Sequence, residues 1–172
     1  MSVPMHEGAV MTWVLPDWVK LAIADSLILF GRLEQKIIEI AWLLKDADMK
    51  ERVKTARAPA YDNFQDIIGV MEEAADKKFT ALSETFEALA KSRNLIAHGC
   101  WLMVDGNRPW VVWHKFIEDD ASVIGEFFEK PRFDDFLKRA EFLYDMCSKF
   151  HHMLEEELGK TTSALGRLPQ GK

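Results

Sequence analysis

Cysteine is scarce in this sequence: Cys100 and Cys147 are the only two among 172 residues. They match no zinc-ligand spacing and are too few for a secreted disulfide scaffold, which points to a reducing compartment and a cytoplasmic location. Basic residues are also in deficit. With 22 Lys and Arg against 28 Asp and Glu, the formal net charge is -6 at pH 7, which argues against a general polyanion binder. A nucleic-acid site would then have to be a local basic patch. No apolar run is long and clean enough to span a bilayer. The most hydrophobic stretch, LAIADSLILF, is broken by Asp25 and followed by Arg32, Glu34 and Lys36, so it reads as a core helix and no membrane partner is expected. The opening MSVPMHEGAV has no basic segment leading into an apolar one and does not read as a signal peptide. No internal repeat, Gly-rich phosphate loop or Ser-His-Asp order stands out.

Hydrophobic residues, by contrast, make up 48% of the chain, enough for a packed core in one domain without disulfides or metal. Apolar residues at helical spacing (Leu21, Ala24, Ile28, Leu33, Ile37, Ile40, Ala41, Leu44) predict a first helix from Asp17, as its cap, to about Lys45. Leu27, Leu29 and Phe30 widen that stripe, as in a central helix or a subunit interface. A short charged helix ends near Pro59. A second long helix is predicted over 63–76 and a third over 80–98, where Gly99 suits the stop. CWLMV and WVVWHKF around Asp105-Gly106 read as a β-hairpin. An acidic loop follows, and Pro131 precedes a last helix carrying Phe133, Phe136, Leu137, Ala140, Leu143, Tyr144, Cys147, Phe150, Leu154 and Leu158. The expected fold is therefore mainly all-α. It is an up-down helical bundle of four to five helices over residues 17–158, with a small β-hairpin inserted after the third long helix. Residues 1–16 and 160–172 are expected to be flexible termini.

One stretch breaks its own pattern. The third helix carries Phe79, Leu82, Phe86 and Leu89 on one stripe, and the next member is Arg93, followed by Asn94 and His98. Asn94 and His98 are four apart and share a face. Arg93 and His98 are five apart and diverge by about 140° on a straight helix. They serve one site only where the helix ends, or where two copies of the segment face each other. A plainer reading pairs Arg93 with Glu34 or Glu39 as a buried ion pair, and leaves His98 to the helix dipole.

SRNLIAHG resembles the signature of the HEPN superfamily (higher eukaryotes and prokaryotes nucleotide-binding domains): an Arg, a polar residue, and a His after four to six intervening residues, late in a long helix of a bundle. The resemblance covers residues 17–158 and matches the signature at Arg93, Asn94 and His98. It implies a metal-independent endoribonuclease, often a toxin or defence component, working as a homodimer with both motifs on one cleft. The same resemblance also admits a non-catalytic module for dimerisation or for nucleotide or partner binding. In the enzymatic version an RNA 2′-hydroxyl attacks the adjacent phosphodiester. His98 moves protons, Arg93 holds phosphate oxygens, and Asn94 orients His98 or the substrate. No cofactor and no metal is implied. The implied partners are a second copy, RNA or a nucleotide, and an antitoxin protein.

From Ala88 to Lys115 the charges are Lys91, Arg93, Arg108 and Lys115 against Asp105 alone, a local basic stretch in an acidic protein. Lys91, Trp101 and His114 are the candidate substrate-binding residues. Trp101, Trp110 and Trp113 could stack unpaired bases, although alternating aromatics on a hairpin more often pack onto a core. His152 and Glu156 share a helix face, but two ligands do not make a metal site. Cys100 follows a helix C-terminus, where the dipole disfavours a thiolate.

Overall fold

A computed structural model describes residues 10–117 and 120–158, leaving aside the side chains of residues 114–123. It is mainly helical, with a small antiparallel sheet. The order is β1 (Met11–Thr12), α1 (Asp17–Leu44), α2 (Met49–Arg57), α3 (Ala60–Ala75), α4 (Thr80–His98), β2 (Cys100–Val104), β3 (Arg108–Ile117), β4 (Asp120–Phe127) and α5 (Lys130–Leu158). The chain packs as two compact units. One combines the stretch up to Arg32 with Glu84–Phe142, and the other combines Leu33–Ser83 with the chain from Leu143 onward.

The stripe expected on α1 holds from Leu33 onward, where Leu33, Ile37, Ile40 and Ala41 are buried. In the first half it needs correction. Val19, Ser26 and Phe30 are buried there, while Leu21 and Ile28 are exposed and so is Ala24. LAIADSLILF is apolar on nearly every side, so periodicity could not select its inner face. Ser26 is tolerated inside because its hydroxyl donates to the Ala22 carbonyl at 2.7 Å, one turn back.

In the unit containing α2 and α3, the core is built on Ile37, Ile40, Phe64, Ile67, Leu143 and Cys147. Polar groups tie the helix ends. Asp48 caps α2 by accepting the Glu51 N–H at 2.8 Å, and the Asn63 amide donates to the Thr55 carbonyl at 3.0 Å. Asp76, in the left-handed region at φ 46°, ends α3. Across that turn the Glu72 carboxylate accepts from Lys78 Nζ and from the Phe79 N–H, both at 2.7 Å. Those two bonds hold its pKa below the usual glutamate value.

In the other unit the predicted hairpin is the centre of a larger sheet. The four strands form one antiparallel meander in the order β1-β2-β3-β4. Two expectations are corrected here: residues 11 and 12, taken as part of a loose terminus, pair with Val104 and Met103, and the stretch taken as an acidic loop is β4, paired with β3 along its length. The Asp105-Gly106 turn is as expected, with φ of 52° and 72°, the two positive values that a mirror-image hairpin turn needs. Opposed residues share a face of a sheet. Register therefore places Trp101, Val111 and Glu126 on one face with Trp113 and Ile124, and Leu102, Trp110 and Phe127 on the other. On the second face the Trp110 ring lies so close to Gly125 that any Cβ there would collide with it. On the first face Trp101 stacks on Phe133 at 5.7 Å and meets the edge of Phe128. Fully burying one such ring contributes about 1.5–3 kcal/mol, so this aromatic group anchors the sheet to the start of α5.

Candidate functional site

The candidate site begins where α4 ends. The Gly99 N–H donates to the Leu95 carbonyl at 2.9 Å and β2 starts at Cys100. Gly99 follows the last helical residue as expected, but not in the left-handed conformation common there: among the described glycines only Gly106 has a positive φ. Gly99 is needed for a different reason. A Cβ there would collide with Cγ2 of Val111 and lie 2.6 Å from the Leu95 carbonyl oxygen. The missing side chain lets β3 approach the end of the helix.

That approach creates an open groove of about 840 Å³ lined by Lys91, Ser92, Asn94, Leu95, His98, Trp113, Ile124, Glu126 and Arg132. Spacing explains the α4 wall: Lys91, Asn94, Leu95 and His98 follow at three and four residues on one side of the helix. The sheet supplies Trp113, Ile124 and Glu126 from the face named above. Three predicted residues, Lys91, Asn94 and His98, are thus brought together, and Trp113 joins them.

Arg93 is not among the lining residues of this groove. Its guanidinium lies 5.2 Å from the centre of the Phe30 ring, and its Nη1 donates to Asn94 Oδ1 at 2.8 Å. The Asn94 oxygen is therefore engaged by Arg93, and no hydrogen bond joins Asn94 to His98 among the described residues. Trp101 is also outside the groove. It is packed in the aromatic group, with its indole N–H donated to the Ile96 carbonyl at 3.2 Å. His114 lies on β3 opposite Val123, and its side chain is outside the described residues.

Sequence reasoning missed Arg132. Its Nη2 donates to Glu126 at 2.9 Å and its Nη1 to the Phe127 carbonyl at 3.3 Å, while its guanidinium lies 4.2 Å from the centre of the Phe128 ring. Nothing in the local sequence marks it, because only the docking of β4 beside α5 gives it these partners. The groove is thus mixed in charge. Lys91 pairs with Glu87 at 2.6 Å and Arg132 with Glu126 at 2.9 Å, so both cations are partly neutralised.

Two further histidines lie elsewhere, on α5. His151 is buried, with Nδ1 at 3.6 Å from Glu155 and Nε2 at 4.0 Å from Glu39. His152 pairs with Glu156 at 3.3 Å on an exposed surface. Glu39 is engaged by Lys36 at 2.5 Å. Among the described residues no three His, Cys, Asp or Glu side chains stand together as metal ligands, and no helix is long and apolar enough to cross a membrane. Compared with protein-family models, curated proteins and solved structures, the chain matches none.

Proposed function

We propose that the chain is one subunit of a HEPN-like, metal-independent endoribonuclease, with the up-down bundle of that superfamily and a toxin or defence role as part of the same reading. The observation that carries it is the convergence of His98 and Asn94 on a groove that also holds Lys91, Arg132 and an aromatic ring. In the reaction a 2′-oxygen bonds to phosphorus, the bond to the 5′-oxygen breaks, and a 2′,3′-cyclic phosphate remains. One His98 takes the 2′-hydroxyl proton. The His98 of a second copy returns a proton to the departing 5′-oxygen. Arg93 stabilises the charge on the phosphoryl oxygens.

Arg93 lies outside the His98 groove of its own chain, so this chemistry requires the Arg93 of a second copy. The exposed Leu21 and Ile28 on α1 supply apolar surface for such a homodimer, whose interface should exceed roughly 1,000 Å². The same placement of Arg93 supports a second reading, a module that keeps the fold for dimerisation or for binding a nucleotide or an antitoxin-like protein. The experiment is direct. Purified chain should cleave single-stranded RNA in EDTA, leave cyclic-phosphate ends, and lose that activity in His98→Ala with the fold intact. Cleavage that survives His98→Ala removes this histidine from the mechanism. A monomer in light scattering, with no cleavage of any RNA, favours the module.

A further inference from the structure

A smaller cavity of about 80 Å³, lined by Ala88, Leu89, Ser92, Arg132, Asp135, Phe136 and Arg139, shares Ser92 and Arg132 with the groove. The two cavities are therefore neighbours that meet at Ser92 and Arg132, on a line running from His98 along α4 and α5 toward Arg139. From His98 to Ala88 it follows α4 for about 15 Å, at 1.5 Å per residue. Two guanidiniums on α5 stand along it. Each is held by a carboxylate, Arg132 by Glu126 at 2.9 Å and Arg139 by Asp135 at 2.9 Å. Trp113 stands on the sheet wall at the His98 end.

We propose that this line is a track for one unpaired RNA strand, in which Arg132 and Arg139 take successive backbone phosphates and Trp113 stacks the base next to His98. The identity of the substrate rests on the ribonuclease reading above; the roles of Arg132, Arg139 and Trp113 are additional to it. Guanidinium forks bind phosphate and carboxylate in the same two-pronged manner. Glu126 and Asp135 therefore act as placeholders, keeping each fork ordered until a phosphate displaces the carboxylate. They also explain how an acidic protein keeps a phosphate path without binding polyanions at large. Only an unpaired strand offers a free base face to an indole. Arg132 also ties β4 to α5, so a structural role has to be separated from a binding role by the readout.

The test uses full-length His98→Ala protein, which binds without cleaving, and a short fluorescent oligoribonucleotide offered alone or annealed to its complement. The single strand should bind in preference to the duplex. Trp113→Leu should weaken binding by about tenfold, and Trp113→Phe should restore most of it. Arg132→Gln should weaken binding and lower the slope of log affinity against log salt by about 0.7, the value for one phosphate on a single strand; Arg132→Lys should recover the slope. Glu126→Gln should tighten binding. Melting temperatures of each variant separate lost contacts from lost fold, and Arg139→Gln repeats the salt test should Arg132→Gln not fold. Equal binding of duplex and single strand, or affinities and salt slopes indifferent to Trp113, Arg132 and Arg139 in folded protein, would overturn the track. His98-dependent cleavage by wild-type protein with that indifference overturns the track alone. Absence of cleavage with the binding effects intact overturns the ribonuclease reading and leaves the track standing.

Discussion

The Arg93 guanidinium carbon sits 5.2 Å from the centre of the Phe30 ring, and Phe30 itself stacks on Phe86 at 5.7 Å. An arginine therefore stands where the α4 stripe calls for a hydrophobe because its planar cation lies over the face of an aromatic stack, with an apolar stem behind it. Phe30 is only 1% exposed, so the cover matters. Arg93→Ala should lower stability by about 0.5–2 kcal/mol, whereas Arg93→Met, which keeps the stem, should lose less than Arg93→Ala does. On the ribonuclease proposal both should also lose RNA cleavage. Chemical denaturation of the two variants checks this. A loss of about 3–5 kcal/mol in Arg93→Ala would instead mark a buried ion pair, and no loss at all would mean that the guanidinium covers nothing.

The second prediction concerns the joint between helix and sheet. Gly99→Ala places a methyl group into Val111 Cγ2 and near the Leu95 carbonyl. The overpacking should cost about 1–3 kcal/mol and push β3, with Trp113, away from the end of α4. Val111→Ala makes room for the added methyl. The double variant should be less destabilised than the sum of the two single ones by at least about 0.5 kcal/mol. Strict additivity in a denaturation cycle would show that the helix end and β3 do not press on each other.

Much of this was legible in the sequence where local chemistry decides. The end of α4 at His98, the Asp105-Gly106 turn and the burial of Phe133, Phe136, Ala140 and Leu143 on α5 all follow from spacing and turn residues. β4 did not, because strand formation there depends on pairing with β3 rather than on its own composition. The inner face of α1 did not, because an apolar stretch on every side carries no directional signal. The groove was half legible. Lys91, Asn94 and His98 share a helix face by arithmetic alone, while Arg132 and Glu126 arrive only through tertiary docking.

The two cysteines should behave oppositely toward a thiol reagent. Cys147 is fully buried, and burial pushes its thiol pKa up to about 12, so almost no thiolate is present at neutral pH. Cys100 is exposed. Native protein should release one equivalent of chromophore from an aromatic disulfide reagent, and denatured protein two. Cys100→Ser should leave native protein silent. Rapid labelling of Cys147 in the folded state would show that its part of α5 opens readily.

The last prediction is a pH dependence. His151 is buried in the unit containing α2 and α3, and burial, followed by the positive charge of Lys36, holds its pKa below the ordinary 6.5. Glu155 and Glu39 pull the other way, and His152 adds slightly to the lowering. The native chain thus binds this proton less readily than the unfolded chain. Above the unfolded value of about 6.5 both forms are neutral, and the residue adds no pH dependence. As pH falls below that value the unfolded chain takes up the proton first, and stability declines until the native pKa is reached. His151→Gln removes this titration, while carboxylates such as Glu72 titrate in both proteins and largely cancel in the difference. Between about pH 7 and about pH 5 the melting temperature of wild-type protein should therefore fall further than that of His151→Gln. Parallel curves would mean that His151 protonates alike in both states. A wild-type curve that falls less would mean that Glu39 and Glu155 outweigh burial and Lys36, leaving His151 charged inside the fold.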